Sequence, residues 1–118
     1  MIYLLYEAAR RKLIEAEKTL DGILTEKQAA IREGQDTGQY AKRLKDARSL
    51  VKDREELLDK WTKKLRDSSD IHDRVFVMRM LDGIRVYKIA AACSYSEAQI
   101  YRILGDIKKS LDAVKDDR

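Results

Sequence analysis

The chain has 118 residues with 25 Lys and Arg against 21 Asp and Glu, a formal charge of +4. That length holds one compact domain, or a small domain with an elongated helical arm. A single Cys excludes an intramolecular disulfide, zinc-finger patterns and a CxxC redox pair, and the lone His72 argues against a histidine metal site or a Ser-His-Asp triad. No Pro and only five Gly leave long helices uninterrupted, and 39% charged residues with 7% aromatic suit solvent-exposed helices rather than a thick core. The opening MIYLLYEAARRK has an apolar run too short to span a bilayer and no basic n-region, so a cytoplasmic protein without membrane contact is expected.

From Ile2 to about Glu33 the apolar or small residues recur at alternating spacings of three and four. They are Ile2, Tyr6, Ala9, Leu13, Ala16, Leu20, Ile23 and Ala30, with Lys27 the one polar member. That repeat predicts a helix with a coiled-coil-like seam. Gly34 to Gly38, GQDTG, breaks it, and Asp36 and Thr37 can start a new helix. A second stripe follows at Tyr40, Leu44, Ala47, Val51, Leu58, Trp61 and Leu65, with Arg54 intruding. Two such arms, each roughly 45 Å long if fully helical, form a helical hairpin over residues 1–67. Because a two-helix seam is thin, a second subunit or the C-terminal unit is expected to complete it. Trp61 reads as packing on this stripe.

Arg66-Asp67-Ser68-Ser69-Asp70 lacks apolar residues and holds candidate caps, which places a boundary there. Three helices are expected beyond it: Ile71 to Leu81, stopping at Asp82-Gly83; Arg85 to Ala92; and Ser96 to at least Leu111, before a frayed tail over 112–118. Small residues Ala90, Ala91 and Ala92, a turn at Cys93-Ser94-Tyr95 and a Ser96-x-x-Gln99 capping box make the last two a helix-turn-helix. The fold class is therefore all-α: a long N-terminal hairpin, then a three-helix helix-turn-helix unit over 71–111. Cys93 reads as a small residue under the turn, and His72 as a surface residue at a helix start.

Taken together, Val75-Phe76, Met78-Arg79, Asp82-Gly83 and Ile89-Ala90, followed by Ser96 at the N-cap and Ile100 at the buried position of the last helix, resemble region 4 of sigma-70-type RNA-polymerase sigma factors. The match covers about a third of the chain. Cys93 stands where that family has an apolar residue, Tyr95 on its apolar turn position, and Ser94 where its turn carries Gly. Arg85 replaces a capping Ser or Thr, and apolar Val77 replaces a polar residue, which suggests packing against the hairpin. The residues of the other sigma-factor regions are missing, which speaks against a complete initiation factor. A module of this kind behind charged helices also resembles small phage late-transcription regulators of the ArpU/RinA type, which implies a phage or prophage protein in a bacterial host.

If the third helix enters a major groove, its candidate base-reading residues are Arg102, Tyr101, Gln99, Glu97 and Ala98. Arg102 suits guanine O6 and N7, and Gln99 suits adenine unless the capping box occupies it. Glu97 can accept from cytosine or simply favour the helix dipole. Tyr101 is equally consistent with stacking or half-buried packing. Arg85, Lys88, Ser96, Lys108 and Lys109 are the candidate phosphate contacts, which supply affinity without sequence information. So few cations favour a homo-oligomer through the N-terminal helices, with double-stranded DNA as ligand and RNA polymerase as a candidate partner. No catalytic residue, metal or cofactor is expected, since no nucleophile-base pair or phosphate-cradling Gly loop occurs. The expected function is sequence-specific transcriptional regulation. The competing readings are a small-terminase-like DNA-packaging component, whose usual order places the helix-turn-helix first, and a sigma-like adaptor that binds protein and not DNA.

Overall fold

A computed structural model describes residues 1–116, and all regular structure among them is helical. Helix α1 spans Ile2–Arg32 and α2 spans Tyr40–Asp67. Then come α3, Ile71–Phe76, continued by a π-helical turn over Val77–Leu81, α4, Val86–Cys93, and α5, Glu97–Asp116. Helix α5 continues through the first residues of the expected frayed tail to Asp116, and 117–118 lie outside the described residues. Contacts group Met1–Glu7 with the chain from Trp61 onward in one unit, and Ala8–Lys60 in the other. The first turns of α1 thus belong with the C-terminal helices.

In the unit Ala8–Lys60, α1 and α2 pack as a hairpin within one chain. Buried seam positions on α1 stand seven residues apart at Ala9, Ala16, Ile23 and Ala30, and α2 answers with Tyr40, Leu44 and Ala47. Ile23, Ala30, Tyr40, Leu44 and Ala47 make one apolar cluster, joined by Leu20 and Leu24. The intruding Lys27 and Arg54 are half-buried, as their seam positions require of long side chains that carry a charge to water. Helix α1 ends where Gly34 takes the left-handed conformation, φ 69°. There Gly34 N–H donates to Ile31 O and Gln35 N–H to Ala30 O, at 3.1 and 2.9 Å, which satisfies the last carbonyls. Asp36 Oδ1 then accepts from Gly38 N–H at 2.9 Å and sets the turn into α2.

In the other unit the decisive residue is Asp73, in the first turn of α3 and only 1% exposed. Its carboxylate accepts from the backbone N–H groups of Tyr3 at 2.9 Å and Ile2 at 3.2 Å, and from Ser68 Oγ–H at 2.7 Å. The first amides of a helix have no intrahelical partner, so Asp73 caps α1 from 70 residues away, and the helix dipole favours its charge. Helix α3 in turn is capped by Asp70, whose Oδ1 accepts from Asp73 N–H at 3.1 Å. Ser68 Oγ accepts from Asp70 N–H at 3.2 Å. The polar stretch between α2 and α3 is thereby spent on a connected set of caps.

This clamp seats two aromatic rings on Phe76. Tyr3 stacks on it with centroids 5.3 Å apart, and Tyr6 meets it edge-on at 5.8 Å. Tyr3, Leu65, Val75, Phe76, Ile89 and Ile100 are all essentially inaccessible to solvent. The expected plain α-helix over 71–81 differs at its end, where Asp82 N–H reaches back five residues to Val77 O and Ile84 N–H reaches Met78 O. Four consecutive apolar residues, Val75 to Met78, cannot all face one side at 3.6 residues per turn. The wider turn matches the five-residue step from buried Phe76 to half-buried Leu81 and leaves Arg79 exposed. Val77 is half-buried in this turn. Gly83, φ 66°, then ends the element at the expected Asp82-Gly83 stop.

Replacing Asp73 by Ala orphans two helix amides and should cost about 3 kcal/mol in urea unfolding of the full chain, with Asp73→Asn costing less. Tyr3 Oη is buried and meets no hydrogen-bond partner among the described residues. Tyr3→Phe is therefore expected to leave stability unchanged or raise it by up to about 1 kcal/mol.

Candidate nucleic-acid interface

Helices α3 and α4 both pack on α5, and α4 meets the π turn that follows α3. Val86, Ile89 and Ala90 supply the buried side of α4. Its end is an αL turn in which Ser94, φ 58°, lets Ser94 N–H reach Ala91 O at 3.3 Å and Tyr95 N–H reach Ala90 O at 2.9 Å. This is the bonding pattern in which Gly is the usual residue, and a non-Gly residue there carries a steric cost. Cys93, a free thiol, is half-buried beside the turn and not fully enclosed. Arg85 occupies the N-cap of α4 and makes no side-chain cap bond, so its guanidinium is left exposed at the helix start.

The start of α5 is fixed reciprocally. Gln99 N–H donates to Ser96 Oγ at 3.1 Å, and Ser96 N–H donates to Gln99 Oε1 at 2.8 Å. Gln99 has its amide oxygen committed to the cap, which leaves Arg102 as the less encumbered of the two candidate base-reading residues. Ile100, Ile103 and Ile107 are buried at spacings of three and four, so the opposite side of α5 carries Ala98, Arg102, Gly105 and Lys109. Tyr101 flanks that face and is 62% exposed, which places its ring on the surface and not in the packing. Glu97, in the first helical turn, is exposed and favoured there by the helix dipole.

The candidate phosphate contacts Arg85, Lys88, Ser96, Lys108 and Lys109 are all exposed. Lys88 Nζ lies 6.0 Å from the Tyr87 ring on the solvent side of α4. Helix α5 also carries acids, among them Asp106, whose Oδ2 lies 3.7 Å from His72 Nε2, while His72 Nδ1 is 4.0 Å from Asp70 Oδ1. His72 is thus the second residue of α3, half-buried between two carboxylates. Sequence reasoning missed Gly105 on the outer face of α5. Its signal was available, since position 105 stands seven residues after Ala98.

The chain matches no family model, no curated protein and no solved structure. No helix among the described residues is long and apolar enough to cross a membrane.

Ser94→Gly should relieve the αL turn and stabilise the chain by about 1 kcal/mol, read as a melting-temperature rise of about 4 °C. No rise would mean that Ser94 is unstrained.

Proposed function

We propose that this chain is a sequence-specific double-stranded-DNA-binding transcription regulator, with α5 in the major groove. One observation carries the reading more than any other. Helix α5 is locked at its start by the Ser96–Gln99 box and buried along Ile100, Ile103 and Ile107, and it presents Arg102 and Tyr101 outward on a firm support. Arg102 provides the bidentate donor for guanine, and Tyr101 stacks or meets a thymine methyl. Arg85 and Lys88 from α4 and Lys108 and Lys109 from α5 hold phosphates. The resemblance to sigma region 4 and to ArpU/RinA-type regulators adds the proposal of a phage or prophage protein acting in the bacterial cytoplasm.

Four phosphate contacts give weak binding per copy, with log affinity falling against log salt at a slope of about −4. Self-association through the N-terminal helices would double that footprint. A groove along the hairpin, lined in part by Thr19, Gly22, Ile23 and half-exposed Leu50, is the surface on which it would occur. A second reading, a protein-binding adaptor with RNA polymerase as its partner, is favoured by exposed Tyr87 on α4, Tyr95 in the turn and Glu97 at the start of α5.

The test is selection of bound fragments from a random duplex library, followed by affinity measurements on the selected sequence. Arg102→Ala should lose about 1–3 kcal/mol of discrimination at one base pair. Lys108→Ala should weaken all duplexes alike and reduce the salt slope by about 1. Absence of duplex binding at low salt, with polymerase still captured, would replace this reading by the adaptor.

A further inference from the structure

Gly105 stands in the middle of α5, where glycine destabilises a helix relative to alanine. Neither the backbone nor the packing of the chain calls for it. Its φ is not in the left-handed region, which among the described glycines only Gly34 and Gly83 occupy. A methyl group at position 105 would meet no atom within 4 Å. The residue is exposed and lies directly opposite the buried Ile103 and Ile107, in line with Ala98 two turns earlier and flanked by Arg102 and Lys109.

A helix with its side chains is about 10–12 Å across, and the major groove of B-form DNA is about 12 Å wide. A helix seated in such a groove brings its backbone nearer to the base edges where its outer face carries small residues. Helix α5 has Ala98 and Gly105 on that face, while its long side chains, Arg102 and Tyr101, stand to either side of the line joining them. Lys109 follows one turn beyond Gly105.

Resting on the DNA-binding reading above, we propose that Gly105 is a positioning residue: it lets the α5 backbone approach a B-form duplex closely enough for Arg102 to reach base edges. Gly105 itself makes no base-specific bond. Its role is to leave out a side chain at the point of closest approach.

The test uses the full chain, the duplex that wild type selects from a random library, and a random-sequence duplex pool. Gly105→Ala is expected to raise the melting temperature by about 4 °C and to weaken the selected duplex about tenfold. Gly105→Leu should weaken it about a hundredfold. Binding to the random pool, held by phosphate contacts, should change by less than about threefold for either variant. Ser49→Ala, at an exposed site in the interior of α2, is the control. It should raise the melting temperature by about 2 °C and leave DNA affinity unchanged. If wild type selects a duplex and Gly105→Leu binds it as tightly, the close-approach role is overturned while the DNA-binding reading stands. If wild type binds neither duplex, both fall together.

Discussion

The buried carboxylate of Asp73 is the constraint around which the C-terminal unit is arranged. A carboxylate that is almost completely enclosed is costly unless its lone pairs are met. Here the donors are the two opening amides of α1 and the Ser68 hydroxyl, so the capping need of one helix and the solvation need of another are met together. The consequence is that Tyr3 and Tyr6 are brought onto Phe76 and become part of the core beneath the helix-turn-helix. A module that reads as three helices from residue 71 onward includes the first turns of α1 in its packing.

From that core outward, the proposed reading surface is set by short-range rules. The αL turn at Ser94 ends α4, the Ser96–Gln99 box starts α5, and the three buried isoleucines fix the rotation of α5 about its axis. Once that rotation is fixed, Arg102, Tyr101, Gly105 and Lys109 have no choice of side. Asp106 lies beside His72 of α3, its Oδ2 3.7 Å from Nε2. In the proposed DNA-binding reading, recognition is then a matter of a few side chains and one absent side chain, with Arg85, Lys88, Lys108 and Lys109 contributing affinity.

The hairpin, the break at GQDTG, the caps after Asp67, the stop at Asp82-Gly83 and the capping box were all legible in the sequence. Each rests on a local rule: a three-four repeat, a glycine at positive φ, or an oxygen-bearing side chain three residues before a free amide. The π turn was less visible because it required noticing a five-residue apolar step from Phe76 to Leu81 inside an apparently continuous helix. The Asp73 clamp was not legible. Its partners lie 70 residues apart in the chain, and an acid in the first turn of a helix ordinarily faces solvent. Tyr3 offered a faint clue, as a large aromatic lying off the hairpin stripe. The outer face of α5 was readable except at Gly105, where a residue defined by what it lacks drew no attention. Base preference and partner identity lie beyond any local rule, since they depend on what meets this face.

The most direct measurement is a backbone-amide NMR titration of the labelled full chain with the duplex that it selects. The account expects shifts concentrated at 85–88 and 96–109, with the Ile2 and Tyr3 amides unmoved and protected from hydrogen exchange before and after binding. Shifts confined to the hairpin between Ala8 and Lys60, or none on α5 while DNA is bound, would contradict it.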